Sequence, residues 1–219
     1  MITALAAALV LNSTAPQTIQ LTPTDDIWVY PHATDPEKDG YIRCWGSAGQ
    51  AVAPDPDAVD DFSYSYLKFS LAKVPEKGTL KEAKLVIWHI ADPGWNIDLA
   101  KQNPLQARGL RPDFSEKNWE YDICRSLYPD KANQSVFGSY APEKIEAGKP
   151  VKFEIDLLKG PGRFARFFKE ASDSPERELA LAITSSIDPA EVGQKSVYKF
   201  YSKDWEKAEV KPTLTLVVE

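Results

Sequence analysis

Three segments place aromatic and basic side chains alternately along runs that read as β-strands. In Tyr41-Ile42-Arg43-Cys44-Trp45 a period of two puts Tyr41, Arg43 and Trp45 on one face, opposite Ile42 and Cys44. In the run from Phe62 to Leu71 it puts Tyr64, Tyr66 and Lys68 opposite Leu67, Phe69 and Leu71. Late in the chain, Lys199, Tyr201 and Lys203 oppose Tyr198, Phe200 and Ser202. Sugar rings stack on aromatic faces, and a guanidinium grips a carboxylate through two parallel hydrogen bonds. Together these are the contacts an acidic polysaccharide needs. Tyr41, Arg43, Trp45, Tyr64, Tyr66, Lys68, Lys199 and Tyr201 are therefore the candidate ligand-binding residues. The competing reading makes them ordinary strand residues, with Trp45 capping the core. That reading predicts scatter over both sheets; a binding site predicts convergence on one surface.

The carboxylates offer a second chemistry. Asp55, Asp57, Asp60 and Asp61 share one segment, and Asp35, Glu37 and Asp39 share another. Hard cations take several oxygen ligands from such loops, so structural calcium is the one cofactor left open; the alternative is a solvated acidic loop. No run has the EF-hand spacing. Catalysis has less support. His89 sits in a strand beside Trp88, His32 follows a proline, and neither has a Gly-x-Ser-x-Gly elbow to serve. Glu154 and Asp156 share one strand face, but a glycosidase needs two carboxylates facing each other. No catalytic residue is assigned, and the sequence favours binding over an enzyme.

These residues must be positioned by strands. Ile27–Tyr30, Tyr41–Trp45, Phe62–Leu71, Lys84–Ile90, Val151–Leu158, Glu178–Thr184, Ser196–Ser202 and Pro212–Val218 alternate with period two, and Leu105–Leu110 does so more weakly. They are rich in Val, Ile, Tyr, Phe and Thr and bounded by Pro, Gly and Asp. Many short strands with turns between them predict an all-β jelly-roll sandwich. One helix is predicted over Arg163–Ala171, where Phe164, Phe167, Phe168 and Ala171 share a face. The stretch from Asp92 to Glu146 is long and weakly periodic. No linker or repeat divides the chain, and residues 20–219 read as one domain.

The order of these segments resembles the DNRLRE domain family. Phe62–Leu71 followed by Leu80–Trp88 resembles its aromatic-Leu-basic-Phe strand, turn and Ala-x-Leu-x-Leu strand. Asp113–Trp119 is similar to its Asp-x-Trp segment, with Phe114 in place of a usual Trp. Val151–Lys169 is similar to its strand and aromatic helix, and Phe200–Asp204 with Lys211–Leu216 to its closing signature. The acidic loop near Asp55 and the stretch Tyr121–Lys149 stand as insertions. The resemblance implies a jelly-roll β-sandwich, exported, of the carbohydrate-binding-module and disaggregatase-related kind, and acidic glycan as ligand. Two alternatives stay open: a structural or adhesive surface module without a sugar site, and a small polysaccharide lyase or hydrolase.

Composition bounds the remaining possibilities. The chain has 219 residues, 43% of them hydrophobic, with 6 Trp and 9 Tyr, which is enough to build a core. The net charge of −6 argues against nucleic acid as partner. Met1–Leu11 is an uncharged apolar run, and Ser13 and Ala15 fit a small-x-small cleavage site, so residues 1–15 read as a signal-peptide remnant and the protein as secreted or surface-bound. Against this stand the missing basic residue before the run and Pro16 after the site. The run is too short to span a bilayer. A monomer is expected. Cys44 and Cys124 either pair or stand as two buried hydrophobes.

Overall fold

A computed structural model describes residues 15–30 and 38–219. His32, Asp35, Glu37 and all of the proposed signal segment except Ala15 lie outside the described residues.

Among the described residues, eleven strands form two antiparallel sheets. They are β1 (Gln17–Leu21), β2 (Asp25–Val29), β3 (Tyr41–Cys44), β4 (Tyr64–Ser70), β5 (Leu80–Ile90), β6 (Leu105–Leu110), β7 (Val136–Tyr140), β8 (Pro150–Asp156), β9 (Glu178–Thr184), β10 (Tyr198–Tyr201) and β11 (Thr213–Val218). The first sheet runs β1-β11-β5-β10-β3, with β8 on the other edge of β5. The second runs β2-β4-β9-β6-β7. The all-β sandwich predicted from period-two runs is what the chain forms. Two strands lacked a sequence signal. β1 is short and polar at its start, and β7 carries Gly138 and Ser139 inside the stretch that read as an insertion.

The sheets pack through alternate residues of their strands. Leu67, Phe69 and Leu71 from β4 and its end meet Leu85, Ile87, Phe153, Ile155, Phe200, Leu214 and Leu216 from the first sheet. All of these are fully buried. The second sheet buries its other face as well. Ile27, Val29, Tyr64, Tyr66, Ala180 and Ala182 lie under a layer formed by Val59, Phe62, Phe114, Cys124 and Leu127. That layer comes from the 3₁₀ turn Pro56–Asp61, the 111–118 segment and a short helix, α2 (Tyr121–Ser126). A sheet covered on both faces loses polar alternation, which is why β4 and β9 are buried at nearly every position.

The predicted helix is present as α3 (Phe164–Asp173), with Phe164 and Phe168 buried in the inter-sheet core. It is not alone: α1 (Ile97–Gln102), α2 and α4 (Pro189–Val192) are shorter and fall in stretches without helical periodicity. Among the described residues no helix is long and apolar enough to cross a membrane. Cys44 and Cys124 are both free and lie in different buried clusters, one between the sheets and one outside the second sheet.

Candidate functional site

The candidate residues separate into two groups. β10 and β3 pair antiparallel, with Tyr201 opposite Tyr41 and Lys199 opposite Arg43. Their partners in alternation, Tyr198, Phe200, Ile42 and Cys44, fill the core, so Tyr41, Arg43, Lys199 and Tyr201 share the outer face of the first sheet. The Tyr41 and Tyr201 rings are 5.2 Å apart. Trp205, from the segment after β10, lies 4.9 Å from Tyr41 and 5.0 Å from Tyr201. Gly40 makes room for it: a Cβ there would come within 2.8 Å of the Trp205 ring. The Phe200–His89 pairing sets outward-facing Trp88 of β5 beside Tyr201.

Two cations arise from this strand face: Lys199 heads into the aromatic group, and Arg43 heads to Trp28 of β2, in the second sheet. The Lys199 ammonium lies 5.3 Å over the Tyr41 ring and 2.9 Å from Asp92 Oδ1. The Arg43 guanidinium lies 5.6 Å over Trp28 and, among the described residues, has no carboxylate partner. The backbone below Arg43 is pinned, because Ser63 and Ser65 hydroxyls donate to its carbonyl at 3.2 and 2.8 Å. Burial raises the Tyr41 and Tyr201 hydroxyls above their ordinary range, so both rings stay neutral.

Tyr64, Tyr66 and Lys68 are elsewhere. They lie on the second sheet, on its covered outer face; Tyr64 and Tyr66 are 0% exposed. The expected open aromatic face of β4 is an interior one, because the 3₁₀ turn and α2 cover it. Tyr64 Oη accepts the Ala53 N–H at 2.9 Å, and Lys68 pairs with Asp25 at 3.2 Å and donates to the Phe114 carbonyl. Trp45 is also corrected. β3 ends at Cys44, Trp45 bridges to Ser63 just before β4, and its ring is only 4% exposed. It packs 4.7 Å from Tyr30 and 6.0 Å from Trp28.

The sequence reading missed Trp88 and Trp205. Strand parity could have found Trp88, since Leu85, Ile87 and His89 turn inward and leave Trp88 outward. Trp205 lies in a turn and carried no periodic signal.

The acidic loop also reads differently. Asp55 Oδ1 accepts the Asp57 and Ala58 N–H groups at 3.1 Å, capping the 3₁₀ turn. Asp60 accepts from Tyr121 Oη at 2.6 Å and faces Arg125 at 3.5 Å. These carboxylates hold the covering layer together. A different trio converges at the end of β10: Asp26, Glu116 and Asp204, with ligand oxygens all within 4.8 Å of one another. Glu116 Oε1 accepts the Asp26 N–H and Asp26 Oδ2 accepts the Lys203 N–H, each at 2.6 Å. Lys203 Nζ reaches Glu116 at 2.8 Å and Asp204 at 2.9 Å. Burial pushes the Asp26 carboxyl up to about 8 and raises Glu116. Burial works against the charged Lys203, but Asp204 and Glu116 hold it up at about 12.

His89 is a core histidine. It is surrounded by Trp95, Phe153, Tyr198 and Phe200, and its Nδ1–H donates to the Lys199 carbonyl at 2.8 Å. Burial lowers it to about 4. Glu154 is held by Lys152 at 2.7 Å and by Lys84 at 3.5 Å.

No protein-family model matches the chain, and no curated protein matches it.

Proposed function

We propose that the protein is an exported or surface-bound binding module for acidic polysaccharide, and that the outer face around β3 and β10 holds the glycan. The observation that carries this is the cross-strand register: Tyr41 opposite Tyr201 and Arg43 opposite Lys199. Register sets Tyr41, Arg43, Lys199 and Tyr201 side by side on one strand face, with Arg43 reaching to Trp28 at its edge, and Trp205 extends the aromatic part. Aromatic rings next to a guanidinium suit a sugar ring that bears a carboxylate. Arg43 is the group free to take that carboxylate, since it rests on an indole face and has no acidic partner among the described residues. Lys199 is already paired with Asp92 and acts through its field.

The binding site is thus smaller than the eight residues singled out by the sequence. Tyr41, Arg43, Lys199 and Tyr201 remain, joined by Trp88 and Trp205. Retention on immobilised alginate or polygalacturonate, against neutral glucan, tests the assignment. Retention on the uronate polymers alone supports it, and failure on every acidic polymer removes it.

One observation favours the structural-module alternative. Tyr201 is 5% exposed, because Tyr41 and Trp205 press against it. If the aromatic group serves only the fold, Arg43→Ala leaves surface attachment unchanged.

A further inference from the structure

We propose that Asp26, Glu116 and Asp204 form a binding site for a divalent hard cation of the calcium type. The three carboxylates come from separate parts of the chain: Asp26 from β2, Glu116 from the segment between β6 and α2, and Asp204 from the turn after β10. Their ligand oxygens lie within 4.8 Å of one another. Proximity of acids alone makes no site. The second observation is Asp26 Oδ1, which is buried and has no hydrogen-bond partner, on a residue that is 1% exposed. The other oxygen, Oδ2, is fixed by the Lys203 N–H at 2.6 Å, so the carboxylate cannot turn to relieve the first. A buried carboxylate oxygen without a donor is costly and calls for a missing partner.

Charge points to the same partner. Around the trio stand Asp25, whose Oδ1 accepts the Glu116 N–H at 3.2 Å, and two ammonium groups, Lys68 and Lys203. Fully ionised, four carboxylates against two lysines carry two negative charges, which one divalent cation balances as it displaces the proton that burial keeps on Asp26. An all-oxygen donor set selects a hard cation. One strand residue and two loop residues give a ligand set of loose geometry, which suits calcium better than magnesium, with water completing the shell.

Lys203 is the competitor. Its ammonium now bonds Glu116 Oε2 and both Asp204 oxygens. A lysine on a flexible four-carbon stem can leave those oxygens. The side chain is 18% exposed, so a route to solvent is open. Cation binding would exchange a mobile ammonium for a tighter clamp. That clamp would join β2 to the segment that carries Trp205. Cation binding is measured without any sugar, so its outcome is separate from that of glycan binding.

The test uses the full chain after chelator treatment. Thermal unfolding and isothermal titration are followed with calcium chloride, with magnesium chloride and with sodium chloride at equal ionic strength. The expected result is a Tm that rises with calcium concentration, as binding to the folded state requires. Asp204→Asn, at an exposed position that leaves the fold intact, should weaken calcium binding by about tenfold or more, since affinity follows ligand charge. Asp26→Asn, which keeps an acceptor for the Lys203 N–H, should do the same. Lys203→Gln should tighten calcium binding by removing the competing ammonium. Asp57→Asn, in the other acidic segment, should change nothing. Absence of a calcium-dependent Tm rise in both the wild type and Lys203→Gln overturns the proposal. An unaltered calcium titration in Asp204→Asn overturns it equally.

Discussion

Arg43 is the side chain on which the binding account turns, and its chemistry is legible from its surroundings. It lies over an indole and is held from below by a pinned backbone, so little freedom is lost when it grips a carboxylate. Arg43→Ala should weaken binding to a uronate polymer about tenfold or more, the scale of one charged hydrogen bond. Arg43→Lys should recover little of that, because an ammonium lacks the planar fork. Titration calorimetry on oligouronates of defined length reads both. Tyr66 makes the opposite point. Its hydroxyl is buried without a partner, so Tyr66→Phe should leave binding unchanged and keep or raise stability, by up to about 1 kcal/mol. A drop of several kcal/mol in urea unfolding would contradict that. His89 gives a pH signature. The native ring titrates near 4 because it is buried, whereas the unfolded ring titrates near 6.5. Between those values only the unfolded chain takes up the proton, so stability from this site falls as pH drops from about 6.5 to 4 and is flat above. The charged groups facing it are Lys199 and Asp92. Asp26 acts in the opposite sense, keeping a native proton up to about 8, so its contribution falls as pH rises through that range. The comparison is therefore a difference: relative to wild type, His89→Gln should lose an acid-side slope of up to about 1.4 kcal/mol per pH unit. Parallel curves for the two proteins would exclude it.

At the scale of elements, the sequence was most legible where one rule governed. β6 and β9 run over the residues their alternation indicated, and α3 follows the spacing of its phenylalanines. Parity also set the outer face of β3 and β10 correctly for Tyr41, Arg43, Lys199 and Tyr201. It failed for β4, because parity tells two faces apart but not which one meets water. Tyr64 and Tyr66 are covered by α2 and the 3₁₀ turn, and nothing within β4 itself records that cover. Trp45 failed for a different reason, since β3 stops one residue earlier and Trp45 bridges to Ser63 just before β4. The turn after β10 is where the proposed site is most sensitive. Gly40→Ala forces a Cβ to within 2.8 Å of the Trp205 ring, so the ring must move. The variant should lose part of its uronate affinity while Tm changes by only a few degrees. Binding at wild-type strength with altered Trp205 fluorescence would show that this ring is not part of the ligand surface.

At the scale of the whole molecule, an acidic chain can still carry a local cationic face. The net charge of −6 is a sum over distinct regions. Asp55 and Asp60 belong to the layer outside the second sheet, where they cap a turn and meet Tyr121 and Arg125. Arg43 and Lys199 stand on the first sheet, with Asp92 the carboxylate bound to Lys199. Binding that depends on this cationic patch should weaken with added salt, as exposed charges are screened over about 8 Å at physiological ionic strength. The most direct measurement is the affinity of wild type and Arg43→Ala for alginate or polygalacturonate beside a neutral glucan, at two salt concentrations. The account predicts that wild type binds the uronate polymer alone, that salt weakens it, and that Arg43→Ala loses about tenfold or more. Equal retention of wild type and Arg43→Ala on the acidic polymer, or equal retention on both glycans, would contradict it.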